Sequence, residues 1–445
     1  MSPLQLLLKK TPSPRTWLEQ AAFWLGAVCV SVIALLFAEL STLSNGVFVS
    51  ITQDDPWIAI VLVPSGFGLI VWLTRSFFIG AEGSGIPQVI AVIDTPKVAG
   101  GSSILSLRIA LSKILLTSMS LCVGASVGRE GPTVQIGAAI MYKIGQIKKL
   151  SLQKMESALI LAGGAAGISA AFNTPLAGIL FALEELSRSF EEKSNGLVLT
   201  TVIISGFISM AVWGNYTYFG QTDISLALIE SWQPVLICGV SGGLLGGLFS
   251  RLLILFSHQL PGRLGQIIGN HPVMFAVLCG LGVALLGICS DSTIYGTGYE
   301  QARSILEGNN RSSFWFFPMK LLATSFSYIC GLPGGIFAPS LAIGAGLGDQ
   351  LATLMPDIPV SAIVILGMVG YFAGVVQVPI TSTIIVMEMT NDPSLRLPLL
   401  ATAFIGYHVS KVICPKPLYR TLAESFLAHT KRHGPESEDA PPVLA

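Results

Sequence analysis

Long apolar runs separated by short polar turns dominate this chain. Ten runs occur, near residues 20–39, 57–74, 104–127, 156–183, 197–219, 233–256, 273–290, 314–347, 360–391 and 396–414. Several exceed the ~20 residues that one membrane-spanning helix needs, and Gly or Pro interrupts many of them. Because each interruption can split a run into partial helices, we expect more helices than runs. The pattern predicts an all-α integral membrane protein with many tilted and broken helices.

Composition agrees with this prediction and narrows the class of protein. Hydrophobic residues make up 52% of the 445 residues and charged residues only 11%, whereas a soluble domain carries roughly 25% charged residues. Lys+Arg and Asp+Glu are equal at 25 each, which argues against a nucleic-acid partner. The seven cysteines lie scattered in apolar runs, so we expect neither disulfides nor a metal site. We also expect no cleaved signal peptide, because no small-residue cleavage site precedes the first apolar run.

An internal repeat organises the chain. Residues Lys113–Ala138 match Lys320–Ala345 at 11 of 26 positions, with an offset of 207. Two shorter blocks follow the same order in both copies. They pair Gly83-Ser84-Gly85 with Gly296-Thr297-Gly298, and Pro175 and Glu184 with Pro379 and Glu388.

The repeat predicts two membrane halves, 1–220 and 233–430, joined by a polar linker at 221–232. Transporters built this way commonly use inverted halves with a substrate site between them, although the sequence leaves parallel halves open. Basic residues near both chain ends predict that both termini are cytoplasmic. Residues 431–445 are expected to form a disordered cytoplasmic tail. The repeat-related Lys113 and Lys320 are interpreted as marking equivalent helix ends rather than a site.

Three Gly-rich breaks lie inside apolar runs, and each ends in a proline that can open a helix. They are Gly83-Ser84-Gly85-Ile86-Pro87, Gly128-Arg129-Glu130-Gly131-Pro132 and Gly335-Ile336-Phe337-Ala338-Pro339. Helix N-termini that meet at one point can hold an anion through backbone amides. The Ser84 hydroxyl could add a donor. The alternative is that these glycines only permit close helix packing.

Glu130 is the candidate for chemistry in the second break. A carboxylate within a membrane segment is expensive and usually faces a cavity or an ion path. When ionised, it carries the same charge as a transported anion and can block the anion's site; when protonated, it can be displaced. The alternative is a structural ion pair between Arg129 and Glu130 buried in the fold.

Taken together, these motifs resemble those of the CLC family of chloride channels and chloride/proton antiporters. The resemblance covers nearly the whole membrane region. It extends to Ala171-Phe172-Asn173-Thr174-Pro175-Leu176-Ala177-Gly178, Glu184-Glu185 and Lys416-Pro417-Leu418-Tyr419.

The resemblance implies a role for each matching position. Ser84, Tyr419 and the backbone amides of Ile336 and Phe337 would bind chloride. Glu130 would be the external gating glutamate and Glu185 the internal proton-transfer glutamate. The supporting motif residues would be Gly83, Gly85, Pro87, Gly128, Arg129, Gly131, Pro132, Gly335 and Pro339. Family members of this kind are homodimers with inverted halves and one pore in each subunit, and they need no cofactor.

From the residues alone, Glu185 could instead be a carboxylate at the wet end of a helix, and Tyr419 an interfacial aromatic residue. Gly346-Leu347-Gly348-Asp349 matches the pattern of intramembrane aspartyl proteases, but no partner aspartate is evident in another span.

We therefore predict a chloride/proton antiporter of the prokaryotic inner membrane rather than an enzyme. A passive chloride channel on the same fold is the alternative, and Glu185 argues against it because channels of the family commonly lack that carboxylate. A fluoride exporter is a third reading, disfavoured by the intact Gly-Ser-Gly-Ile-Pro and Lys-Pro-Leu-Tyr patterns.

Overall fold

The computed structural model describes residues 14–94, 101–147, 152–187, 196–214, 219, 232–257, 260, 262–308, 312–390, 392 and 394–433. Across these ranges the regular structure is helical, and the only backbone bridge is an isolated one. The all-α prediction is therefore confirmed. The predicted linker lies outside the described residues except for Trp232. The predicted tail overlaps the last helix, which ends at His433, and its other residues are not described.

The helices of the first half differ widely in length. They are α1 (Pro14–Thr52), α2 (Ala59–Phe77), α3 (Ile86–Asp94), α4 (Gly101–Ile104), α5 (Leu107–Cys122), α6 (Glu130–Gly145), α7 (Glu156–Phe172), α8 (Pro175–Phe181) and α9 (Gly196–Trp213). Short 3-10 helices cover Pro56–Ile58 and Leu152–Met155, and α8 continues into a π-helical turn at Ala182–Leu186.

The helices of the second half lie between Trp232 and His433. They are α10 (Trp232–Ser257), α11 (Arg263–Asn270), α12 (Pro272–Cys289), α13 (Tyr299–Leu306), α14 (Phe316–Ile329), α15 (Phe337–Ala352), α16 (Val360–Val376), α17 (Pro379–Thr390), α18 (Arg396–Ile413) and α19 (Leu418–His433).

The repeat seen in the sequence is also a repeat of structure. Helices α6 and α15 begin and end at residues that differ by 207, and α7 and α16 do so with a difference of 204. The residues that cap α7 and α16, Asn173 and Gln377, both take a left-handed backbone, with φ of 59° and 58°. Equivalent segments therefore form equivalent elements down to their helix ends.

Membrane-spanning and broken helices occur together, as predicted. Five helices of the described chain are long and apolar enough to cross a membrane, and the bent pair α18–α19 would make a sixth. The bend between α18 and α19 is 42°. Helices α7 and α16 are apolar but shorter, and most of their residues are buried inside the protein. Such short inner helices are tolerated because other protein elements surround them.

Equivalent glycines of the two repeat copies bond to each other in a symmetric way. Gly128 N–H donates to Gly335 O and Gly335 N–H donates to Gly128 O, both at 2.7 Å, in an antiparallel bridge. These glycines are equivalent in the repeat, so the exchange is symmetric. The chain runs in opposite directions at this point, and α6 and α15 start from it, as inverted halves require.

A second symmetric exchange joins α8 and α17. The Glu184 carboxylate accepts hydrogen bonds from the N–H groups of Ile380 and Thr381 at 3.3 and 2.7 Å. Its repeat equivalent, Glu388, accepts from the N–H groups of Leu176 and Ala177 at 3.2 and 2.8 Å. Each glutamate thus caps the first turn of the helix in the other half, where N–H groups have no partner within their helix.

Lys113 and Lys320 do not mark helix ends, which corrects the interpretation from sequence. Both lie within helices, α5 and α14, and both are fully buried. Lys113 Nζ donates to the carbonyls of Ala81, Glu82 and Gly83 at 2.7–3.1 Å. Lys320 Nζ donates to the carbonyls of Ile294, Tyr295 and Gly296 at 2.7–3.4 Å. Each lysine fixes the Gly-x-Gly loop of its own half, Gly83–Gly85 or Gly296–Gly298.

We expect Lys113→Met or Lys320→Met to destabilise the fold by about 3 kcal/mol, because each leaves three carbonyls without their donor. Thermal unfolding of the purified protein in detergent would measure this. Lys143→Met is the control, since Lys143 is an exposed lysine on α6. Equal unfolding temperatures for all three variants and the wild type would contradict the anchoring role.

Candidate anion site

Backbone hydrogen bonds join the three Gly-rich breaks to one another. Gly334 N–H, directly before the third break, donates to Gly83 O in the first break at 3.0 Å. The reciprocal bonds between Gly128 and Gly335 join the second break to the third. The prolines at the three breaks, Pro87, Pro132 and Pro339, lie in the first turns of α3, α6 and α15. The prediction that the breaks open helices is confirmed, and the N-termini of these helices meet in one place.

Small residues are required where these first turns touch. A Cβ on Gly335 would lie 3.1 Å from Gly131 N and 3.4 Å from Pro132 Cδ. A Cβ on Gly128 would lie 3.2 Å from Pro339 Cδ. These glycines therefore do permit close helix packing, as the alternative interpretation held. The same close approach brings the helix N-termini together.

Two hydroxyl groups face each other beside these N-termini. Ser84 lies in the first break and Tyr419 in the first turn of α19, and both are buried, at 1% and 0% exposure. The two hydroxyls are within reach of each other, and neither has a well-formed hydrogen bond to the described part of the chain. Because Tyr419 is fully buried, it is not an interfacial aromatic residue.

Aromatic packing holds the start of α15 against Tyr419. Ile336 and Phe337 are buried at the start of this helix. The Phe337 ring lies 4.9 Å from Phe372, 5.9 Å from Tyr419 and 6.2 Å from Phe172, measured between ring centroids. Residues from both halves thus fix the backbone of Phe337 next to the two hydroxyls.

Glu130 begins α6 and its side chain is fully buried. Tyr299 donates its hydroxyl hydrogen to Glu130 Oε1 at 2.7 Å, while Oε2 has no hydrogen-bond partner among the described residues. The carboxyl group also lies near the backbone N–H groups of Glu130 and Ala338. The side chain therefore sits where the N-termini of α6 and α15 meet, in the environment that stabilises an anion.

Arg129 interacts electrostatically with Glu130 but is held elsewhere. Its Nη1 donates to Ala38 O at 2.6 Å and to Thr42 Oγ1 at 3.4 Å, both on α1. The guanidinium thus ties the second break to the first helix of the chain.

The π-helical turn after α8 separates the two adjacent glutamates. Glu184 caps α17, whereas Glu185 is 4% exposed and interacts electrostatically with Tyr419. A π-turn in a helix often occurs at a functional site, because the extra residue redirects the side chains. Burial rules out the reading of Glu185 as a carboxylate at a wet helix end. Tyr419 interacts with both Glu130 and Glu185.

Two tyrosines at this site were not predicted from the sequence. Tyr299 contacts Glu130, and the Tyr328 hydroxyl lies near the backbone N–H of Ser84. Tyr299 directly follows the repeated Gly296-Thr297-Gly298 block, which was the available signal. Tyr328, at the end of α14, carried no pattern that distinguished it from an ordinary apolar-run residue.

Asp349, the candidate residue of the intramembrane-protease alternative, makes a structural contact. Its Oδ2 accepts hydrogen bonds from Ser312 N–H at 2.8 Å and from Ser312 Oγ–H at 2.5 Å. These bonds tie the end of α15 to the segment that precedes α14.

Comparisons with known proteins identify the family. A family model described as voltage gated chloride channel matches residues 66–411. The H(+)/Cl(-) exchange transporter ClcA of Citrobacter koseri is 29% identical over 442 residues, covering 96% of this chain and 92% of that protein. ClcA of Salmonella gallinarum is 30% identical, covering 83% and 79%, and ClcA of Vibrio vulnificus is 29% identical, covering 84% and 81%.

Solved structures share the fold. A slow cyanobacterial Cl-/H+ antiporter matches with a TM-score of 0.78 at 24% identity, over 94% of this chain and 99% of that one. A CLC-type fluoride/proton antiporter matches with a TM-score of 0.75 at 21% identity, over 91% and 98%. With the family model, the repeat and the convergent breaks in agreement, this chain belongs to the voltage-gated chloride channel, or CLC, family.

Proposed function

We propose that this protein exchanges chloride for protons across a membrane, with Glu130 as the gate. The observation that carries the proposal is the position of the Glu130 carboxyl group. It lies where the N-termini of α6 and α15 meet and next to the Ala338 N–H. A carboxylate and a chloride ion carry the same charge, so one excludes the other from this place.

The proposed central chloride site has four groups. They are the hydroxyls of Ser84 and Tyr419 and the backbone amides of Ile336 and Phe337. The two hydroxyls can both turn their hydrogens toward an ion between them, because neither is committed to another acceptor among the described residues. The amides of Ile336 and Phe337 at the start of α15 add donors and the positive end of a helix dipole. Partial charges of this kind bind the ion without trapping it, which suits transport.

Proton binding to Glu130 opens the route. The neutral side chain has lost its attraction to the helix N-termini, so a chloride ion can displace it. Return of the side chain as an anion expels chloride and releases the proton. The same place takes either the ionised carboxylate or chloride. Binding of a proton to the carboxylate is therefore coupled to binding of chloride.

Glu185 is proposed to exchange this proton with the interior. It is buried, and it interacts electrostatically with Tyr419, as Glu130 does. This arrangement favours an antiporter over a passive channel. The curated relatives above are also named as exchangers. The intact Ser84 and Tyr419 hydroxyl pair favours chloride over fluoride.

We propose that the protein is a homodimer in a prokaryotic inner (plasma) membrane, with both termini cytoplasmic. A cytoplasmic location for the C-terminal end is supported by the basic residues Lys411, Lys416 and Arg420, as the positive-inside rule expects.

The first test is proton movement in proteoliposomes under an imposed chloride gradient, followed with a pH electrode. Chloride flow should drive protons uphill in the wild type. Glu130→Gln should abolish proton movement and keep part of the anion flux, because glutamine cannot carry the proton. Chloride flux without protons in the wild type would indicate a channel, and coupled transport by Glu130→Gln would exclude Glu130 as the gate.

Glu185→Gln should stop proton movement and spare chloride flux, since only the internal proton step is lost. The exchange ratio of chloride to protons, measured in the same proteoliposomes, reports this. Glu307→Gln serves as the control, because it removes an exposed carboxylate that pairs with Arg303 on the surface. An unchanged ratio in Glu185→Gln would refute the assignment.

Tyr419→Ala should weaken chloride binding about tenfold or more, because it removes a donor to a charged ligand and the packing around it. It should also loosen the coupling ratio. Isothermal calorimetry gives the affinity, and Tyr407→Ala on α18 is the control outside the site. Wild-type affinity in Tyr419→Ala would mean that the phenol does not touch the ion.

A further inference from the structure

The two copies of the Gly-x-Gly loop are followed by residues of different polarity. In the first half, the loop Gly83–Gly85 presents Ser84 and is followed by the apolar Ile86. In the second half, the loop Gly296–Gly298 is followed by Tyr299, the equivalent of Ile86 with an offset of 213. The second loop therefore carries a hydroxyl at a position where the first loop carries none.

Tyr299 reaches across the repeat to the first half. It begins α13, and its hydroxyl donates to Glu130 Oε1 at 2.7 Å. Glu130 begins α6, and the two residues are 169 positions apart. The residue after the second Gly-x-Gly loop thus hydrogen-bonds Glu130 in the other half.

The position of Tyr299 is fixed from two sides. Lys320 Nζ holds the preceding loop through the carbonyls of Ile294 and Gly296, at 2.7 and 2.8 Å. The Tyr299 ring lies 5.9 Å from that of Phe219, whose N–H in turn donates to Met389 O at 3.1 Å. A donor held in place in this way loses little entropy when it binds the carboxylate.

We propose that Tyr299 is a positioning residue that stabilises the ionised, closed form of the Glu130 gate. This inference rests on the proposed function of Glu130. A hydroxyl bonds more strongly to an ionised carboxylate than to a neutral one. Tyr299 therefore favours the closed gate, and a proton must overcome this bond to open it.

Other groups also face Glu130. Arg129, its neighbour in the chain, interacts with it but is bonded to α1. Tyr419 on α19 interacts with it from the central site. The backbone N–H groups of Glu130 and Ala338 lie near the carboxyl group. Tyr299 adds a side-chain hydrogen bond of 2.7 Å to Glu130 Oε1.

The experiment is the pH profile of chloride efflux from proteoliposomes for Tyr299→Phe. Loss of the donor makes the ionised carboxylate less stable, so the gate is neutralised at higher pH. The profile should move toward alkaline pH by about one to two pH units, the value expected for one hydrogen bond to a charged group. At neutral pH the variant should therefore pass chloride faster than the wild type.

Tyr295→Phe is the matched control. It removes a hydroxyl four residues earlier in the same loop, which donates to Ala284 O at 3.3 Å rather than to Glu130. Its profile should follow that of the wild type. A common shift in both variants would mean that loop rigidity, not the bond to the gate, sets the profile, and would overturn the proposal.

A second pair of variants tests whether Tyr299 acts through Glu130. In a Glu130→Ala background, adding Tyr299→Phe should change neither chloride efflux nor its pH dependence, because the acceptor is gone. An added loss of chloride affinity there would show that Tyr299 binds the ion itself, against the proposal. If the wild type shows no pH-dependent chloride flux, the proposed function fails. If it does and Tyr299→Phe matches it, only the role of Tyr299 fails.

Discussion

The structure depends on the reciprocal hydrogen bonds between Gly128 and Gly335, each 2.7 Å long. They join equivalent residues of the two halves and set the first turns of α6 and α15 against each other. Helix N-termini carry partial positive charge, and bringing two of them together inside a membrane is unfavourable unless an anion lies between them. The Glu130 carboxylate can supply that charge, and so can chloride. The proposed competition between the carboxylate and chloride rests on this shared place.

The buried basic side chains around the Gly-rich loops donate hydrogen bonds to backbone carbonyls. Lys113 and Lys320 each donate to loop carbonyls, and Arg129 donates to α1. In the proposed site the ion meets amides and hydroxyls, and partial charges of this kind suit release as well as binding. The same lysines hold the loops that lead to Ser84 and Tyr299, so two buried amines on α5 and α14 fix parts of the proposed site.

Much of this architecture could be predicted because the repeat is strong. An offset of 207 aligns α6 with α15 at both ends, and the three Gly-Pro breaks mark the helix starts that meet at the site. The buried position of Glu185 could not be predicted, because charged neighbours made it look exposed and a π-turn redirects it. Lys113 and Lys320 were misread because their acceptors are backbone carbonyls that no motif records. Tyr299 was missed because its contact with Glu130 spans both halves.

The central claim is that the Glu130 carboxylate and a chloride ion occupy the same place. The most direct measurement is anomalous diffraction from crystals grown in bromide, for the wild type and for Glu130→Gln. The account predicts a bromide peak beside the Ala338 N–H in the variant, at the position of the wild-type carboxylate, with no such peak in the wild type. Identical bromide peaks in both proteins would contradict it.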